Sequence, residues 1–216
     1  MQTTQATRAN RATPSAQTSL SARSVSTFLN VSINSMESYA TEKASWWIPA
    51  IHQVLPTATT TPYCYLGYYA TNNFTNPPAG SCNIYLANND DPSNPCFAPP
   101  TGFAEIWKCT GNSAPSYLGI YNPLAPDGYI AIGTVAVMDF NSPPQVAQYP
   151  GLMCVRQDLV TPVTLNTTSN FIWADHNSKA TGDVSVFQLP NSGLCYAVSG
   201  YPTSINAYDI VTSQNT

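Results

Sequence analysis

Gly128-Tyr129-Ile130-Ala131-Ile132-Gly133-Thr134-Val135-Ala136-Val137-Met138 contains the longest apolar run of the chain, Tyr129 to Met138. It is about half a membrane span, so it reads as buried structure inside a globular protein. It is apolar on both faces, which predicts a central strand. Its glycine is the first sign of a repeat. Tyr65-Leu66-Gly67 parallels Ala131-Ile132-Gly133, and Gly67 and Gly133 stand 66 positions apart. The same offset of 66 relates Pro77-Pro78 to Pro143-Pro144, Trp107 to Trp173 and Tyr121 to Phe187. Each glycine is followed by Pro-Pro and then by a cysteine, Cys82 or Cys154.

Several matches at one offset point to internal duplication. Gly200, 67 positions beyond Gly133, supplies a third mark. Such a unit is too long for one solenoid turn. Three units predict an all-β, closed, pseudo-threefold structure in which the tryptophan and the following aromatic fill equivalent core sites. Closure of this kind also hides sheet edges. Asp183-Val184-Ser185-Val186-Phe187-Gln188 and Leu194-Cys195-Tyr196-Ala197-Val198-Ser199 read as further strands. The 19 prolines and 13 tyrosines agree with many turns and short strands.

Ahead of the repeat, residues 1–27 are a low-complexity stretch of Thr, Ser, Gln and Ala. It carries Arg8, Arg11 and Arg23, and no acid precedes Glu37. Such a segment reads as a targeting peptide, as an arm that orders on a neighbouring subunit, or as a plain tail. Residues 28–56 read as a short helix and lead-in, because Leu29, Ile33, Met36 and Ala40 recur at helical spacing before Trp46-Trp47-Ile48-Pro49. Residues 57–216 form the repeat domain.

Charged residues are only 8% of the chain, where about 25% is usual. Amides and hydroxyls take their place, giving a surface that hydrogen-bonds well and repels its own copies weakly. The net charge of -4 and seven Lys and Arg leave no basic footprint, which excludes nucleic acid as the expected partner. Cys64, Cys82, Cys96, Cys109, Cys154 and Cys195 are an even set without CxxC spacing. They read as one to three disulfides or as buried thiols. A disulfide reading suits an oxidising, secretory compartment; the sequons at Asn30, Asn73 and Asn166 are compatible with that route but, in a chain this rich in Asn and Thr, decide nothing. The polar stretch after Met1 lacks the apolar region of a secretory signal, so a cytoplasmic location stays open.

Three stretches resemble one known family. Asn122-Pro123-Leu124-Ala125-Pro126-Asp127-Gly128-Tyr129-Ile130-Ala131-Ile132-Gly133 looks like the P-x-P-x-G-Y-x-A-L-G motif of Vps62-type (vacuolar protein sorting 62) proteins. Cys154-Val155-Arg156-Gln157-Asp158-Leu159 resembles that family's C-V-R-x-D-L. Phe171-Ile172-Trp173-Ala174-Asp175 followed by Asp183-Val184-Ser185-Val186-Phe187 is similar to its I-W-x-D…D-x-S-x-W segment. Asn177-Ser178-Lys179 replaces an expected Gly-Ser-Gly turn, and Phe187 replaces Trp. The resemblance implies a β-prism-like fold of three sheets, related to modules that bind membranes or accompany pore-forming proteins, and no enzymatic activity. It singles out Gly128, Tyr129, Gly133, Arg156, Asp158, Trp173 and Asp175.

Catalytic signatures are absent from the sequence: no G-x-S-x-G, no H-E-x-x-H and no phosphate-cradling loop. His52 and His176 neighbour no nucleophile motif. Asn88-Asn89-Asp90-Asp91 could offer oxygens to calcium, but reads better as a turn before Pro92. Arg156 and Asp158 are placed to pair locally. No cofactor or metal is expected. The expected function is therefore non-enzymatic: self-assembly into a homo-oligomer, lattice or storage body, with disulfides in support. The alternative is a lectin-like module that binds a glycan or a membrane surface.

Overall fold

Short β-prone segments punctuated by proline and glycine fold here into strands. The computed structural model describes residues 18–34, 42–51, 63–110, 118–178 and 180–211, with backbone only for 30–34. Sixteen strands and two 3-10 turns (Val146–Gln148 and Gln157–Leu159) are found among them, and Ile51 is helical. The strands are β1 (Ser19–Val25), β2 (Phe28–Asn34), β3 (Ser45–Pro49), β4 (Tyr69–Thr71), β5 (Cys82–Asn88), β6 (Phe97–Ala98), β7 (Gly102–Lys108) and β8 (Gly119–Leu124). They continue as β9 (Tyr129–Ile130), β10 (Val135–Val137), β11 (Cys154–Arg156), β12 (Val160–Asn166), β13 (Phe171–Ala174), β14 (Val184–Gln188), β15 (Cys195–Ser199) and β16 (Ser204–Ile210).

Of the four three-stranded sheets, one is β6-β11-β9 and three are built alike: β2-β3-β4, β7-β8-β10 and β13-β14-β15. Each of these three is bracketed in sequence by a strand pair: β1 pairs with β5, β6 with β11, and β12 with β16. The first pair in each of these three sheets carries a register irregularity, just before Ile33↔Trp46, Trp107↔Ile120 and Trp173↔Val186. One extra residue in β7 and in β13, and two in β2, bend the strand there and tighten its twist.

The sheets meet at a backbone crossing. Tyr68 N–H donates to Thr134 O (2.9 Å), Thr134 N–H to Cys195 O (2.9 Å), and Cys195 N–H to Tyr68 O (2.8 Å), a closed ring of hydrogen bonds. Gly67 and Gly133 pack backbone against backbone beside it; a Cβ on Gly67 would lie 2.5 Å from Gly133 Cα. The third member of the ring is Cys195. Gly200, expected to be the third mark, sits outside the crossing in a turn with φ of +80°.

The crossing also corrects the expected central strand. Gly128 to Met138 is not continuous: β9 and β10 flank residues 131–134, where Gly133 N–H bonds to Leu66 O (2.8 Å). The run is apolar on both faces because it passes through the middle of the core, and its ladder partners change on the way.

Trp46, Trp107 and Trp173 pack edge-on in that core, Trp173 lying 5.4 Å from Trp46 and 5.8 Å from Trp107. Each such ring removes about 150–250 Å² from water, worth about 4–6 kcal/mol before ordering costs. Trp107 Nε1 donates to Gly182 O (2.8 Å) and Trp173 Nε1 to Glu42 O (2.9 Å). Trp46 Nε1 is buried without a partner.

The helix expected from residue 28 is strand β2 over Phe28–Asn34. Leu29 and Ile33 are four apart in β2, yet they oppose Ile48 and Trp46, two apart in β3. The irregularity imitates helical spacing. Asn and Ser, weak helix formers, fill the gap. Met36 and Ala40 lie outside the described residues. Within the segment read as an arm, Ser19–Val25 is β1, laddered to β5 from Ser19↔Asn88 to Val25↔Cys82, and Val25 is buried. Arg23 is exposed on that strand opposite Ile84, while Arg8 and Arg11 fall outside the described residues.

Candidate functional site

The residues singled out by family resemblance fall into two groups. Around the loop 89–96, Tyr129 OH donates to Pro95 O (2.8 Å) and Arg156 N–H to Cys96 O (2.9 Å). The Arg156 guanidinium donates to Asn94 O and grips Asp158 through both oxygens, at 2.6 and 3.1 Å. That fork holds the Asp158 carboxyl below the usual carboxylate range. Gly128, at φ +81°, makes the turn that aims Tyr129 and accepts from Gln157 N–H (3.0 Å). Asp90 and Asp91 are spent inside the same loop, accepting from Cys96 N–H (2.8 Å) and from Ser93 N–H (2.9 Å) and Oγ (2.7 Å). The acidic run is a turn, as the sequence favours, and no group of three potential metal ligands occurs among the described residues. This cluster anchors a loop.

The second group surrounds Asp175, which is buried at the end of β13. Its carboxylate accepts from Ser178 Oγ (2.7 Å), Val184 N–H (2.9 Å) and Tyr201 OH (3.0 Å), fastening the turn between β13 and β14 to the turn after β15. Burial, then the bond to Asp175, push the Tyr201 phenol up, so it stays a protonated donor. Tyr201 packs against His176 at 4.4 Å with the ring planes tilted by 38°, and His176 Nδ1 lies 3.8 Å from Glu42 Oε1. With Phe171, Ala174 and Pro202 these side chains wall a cleft of about 290 Å³. Trp173 holds its back wall through Glu42 O. Sequence reading found Trp173, Asp175 and His176 but not Tyr201 or Glu42, which join them only in space.

A third constellation escaped sequence reading. Asp209, 0% exposed in β16, accepts from Asn191 N–H (2.7 Å), Ser192 N–H (3.2 Å) and Ile210 N–H (2.9 Å). Asn191 Nδ2 donates to Ile210 O (2.9 Å), and Asn83 Nδ2 to Asn191 O (2.9 Å). The loop between β14 and β15 is thereby fixed as the wall of a groove of about 430 Å³, which Asn83, Ser169, Asn170 and Gln188 also line. Among the described residues, no Asp, Glu, Lys, Arg or His lines this groove. The one available signal was Asp209 itself, a lone acid at the inward end of an otherwise neutral strand.

The six cysteines form no disulfide; each is a buried thiol. Burial pushes Cys82, Cys96, Cys154 and Cys195 up to about 12, so none is poised as a thiolate. The expected disulfides give way to core packing: Cys195 Sγ sits 3.4 Å from Thr134 Oγ1 at the backbone crossing. Gly133 is structural for the same reason. His52 lies outside the described residues. No described helix is long and apolar enough to cross a membrane.

Comparison with known proteins accords with this picture. Among solved structures, GNIP1Aa from Chromobacterium piscinae shares the fold with a TM-score of 0.65 at 21% identity, over 84% of this chain. The match takes up 33% of that longer chain, so this chain spans about a third of its length. Comparison with curated proteins gave no match. The family described as Vacuolar protein sorting-associated protein 62 matches residues 17–200, through every three-stranded sheet, both motif clusters and the backbone crossing. On that match the chain belongs to the Vps62 family.

Proposed function

We propose that this chain is a non-catalytic recognition module, a pseudo-threefold β-prism that holds a neutral, hydroxyl-rich glycan in its amide-lined groove. The groove carries the reading: about 430 Å³ walled by Asn, Ser and Gln groups, with no ionised side chain among the described residues that line it. Sugar hydroxyls both donate and accept. Asn83, Asn191 and Gln188 each spend one amide N–H inside the protein, and Asn170 accepts from Asn166 N–H. That leaves their second N–H groups and the other amide oxygens to match the sugar in both senses. A charged ligand would find nothing there to offset its desolvation. Asp209 and its three backbone donors preorganise the wall, which lowers the cost of binding. The ring of hydrogen bonds through Tyr68, Thr134 and Cys195, and the thrice-recurring pairing order, support the prism reading. A fold match that occupies a third of a longer chain supports a modular role. The family description is the support for a vacuolar setting.

A glycan array probed with the full chain, followed by calorimetry on the hits, tests this. Asn170→Ala should weaken binding about tenfold, the loss of one good hydrogen bond. Silence across neutral glycans, or hits that ignore Asn170 and Asn83, would remove the reading.

Self-assembly into a homo-oligomer, lattice or storage body is the second reading. It is favoured by the sparse charge and by Leu124, Tyr208 and Val211, each 46–47% exposed. It draws nothing from the cysteines, which are buried thiols. Sedimentation across a wide concentration range decides it, and a monodisperse monomer throughout would end it.

A further inference from the structure

We propose a second ligand site, for a methylated ammonium cation of the choline class, in the cleft between Glu42, Phe171, His176 and Tyr201. It is independent of the glycan groove and made of different chemistry. The Tyr201 ring, 43% exposed, is held by its hydroxyl bond to Asp175 (3.0 Å) and by tilted packing against His176 (4.4 Å, 38° between the planes). The ring is thus held at a fixed orientation, and Phe171 also lines the cleft. The Glu42 carboxylate, 43% exposed, lies 3.8 Å from His176 Nδ1 and accepts from Ala174 N–H (3.4 Å).

The cleft discriminates by what its polar groups already do. Tyr201 OH is committed to Asp175, and Ser185 Oγ donates to Gly200 O (2.8 Å), so a sugar would gain few new bonds. Among the described residues no Lys or Arg lines the cleft, and Glu42 and buried Asp175 disfavour an anion. A bare metal ion would need three or more convergent ligands, and the described residues contain no such group. An ammonium wrapped in methyl groups needs none of these. It asks for aromatic faces within about 6 Å and a nearby carboxylate, and its methyls suit the apolar wall of Ala174 and Pro202. At about 290 Å³ the cleft suits a headgroup-sized ligand.

Tetramethylammonium and choline, titrated into the full chain by NMR with His176 and Tyr201 as reporters, test the site. The expected result is saturable binding near about 1 mM. Glu42→Gln should weaken it about tenfold, Tyr201→Ala should abolish it, and Tyr201→Phe, which keeps the ring, should retain most of it. Because Tyr201→Ala also removes a buried hydrogen bond, Glu42→Gln and Tyr201→Phe are the decisive variants if the alanine fails to fold. Flotation on phosphatidylcholine vesicles but not phosphatidylglycerol vesicles would assign the cation to a lipid headgroup. Binding of free choline without flotation would support the site with a soluble source. Unsubstituted ammonium binding as well as tetramethylammonium, or Glu42→Gln binding like wild type, would overturn the proposal.

Discussion

Asp175 and Asp209 are the two buried carboxylates of the described chain, and each ties a turn by accepting three hydrogen bonds. Hydrogen bonds to a charged acceptor are each worth about 1.5–3 kcal/mol, and the orphaned donors add their own cost. Asp209→Asn should therefore lower stability by about 2–4 kcal/mol in urea denaturation. It should also abolish glycan binding while leaving the choline titration intact, because only the groove wall is loosened. The thiols give a pH signature at the same scale. Cys82, Cys154 and Cys195 ordinarily titrate near 9.0, and burial pushes each up to about 12. Between those values the unfolded chain has lost protons that the native one keeps, so unfolding releases protons and stability falls with rising pH. The urea midpoint should be level up to about pH 8.5 and decline steadily above it. Native protein should resist Ellman's reagent until unfolded; rapid native labelling would contradict the burial of these thiols. The sequence displayed Asp175 inside a motif but gave no cue for Tyr201, 26 residues away, because a cleft between turns has no sequence period.

At the level of elements, the offset of 66 was real where two strands of a pair keep one loop length. It failed at Gly200, because the connection from β14 to β15 is shorter than its counterparts. The crossing partner of Gly133 is therefore next to Cys195, five positions short of the extrapolated glycine. The same lesson explains β2, where an irregular register turned a strand into an apparent helix. Periodicity reports the spacing of side chains, and a bulge changes that spacing without changing the element. The two kinds of glycine separate experimentally. Gly133→Ala would bring a Cβ to 2.9 Å from Gly67 Cα and 3.2 Å from Cys195 O, with backbone on every side. It should cost about 3 kcal/mol or more, as overpacking against immobile atoms does. Gly200→Ala meets nothing within 4 Å and pays only for its positive φ, about 1–2 kcal/mol. Thermal melts of the two variants should rank in that order. Reversal would move the crossing to Gly200 and dismantle the ring.

At the scale of the molecule, closure is what a sequence this poor in charge needs. Unpaired strand edges on a weakly self-repelling surface invite association. In sequence, each of the sheets β2-β3-β4, β7-β8-β10 and β13-β14-β15 is bracketed by a pair made of one strand before it and one after it. Each strand of such a pair covers one edge of its partner. The first of these seals is β1 on β5, and it lies in a stretch whose Ser, Ala and Arg composition looks like a tail. β1 was invisible in the sequence because its contribution is mainly a backbone ladder, with Leu20 and Val25 as its inward side chains. Two truncations separate ladder from tail. A chain starting at Thr18 keeps every β1–β5 pair and should unfold at the wild-type urea concentration. A chain starting at Ser26 loses the ladder and the burial of Val25, which should cost at least about 2 kcal/mol. It also bares the outer edge of β5, so size-exclusion chromatography should show concentration-dependent oligomers absent from the longer variant. If the shorter chain instead stays monomeric and equally stable, β1 is no seal. If the full chain associates by itself while the Thr18 variant does not, residues 1–17 drive assembly, and the self-association reading gains at the expense of glycan recognition.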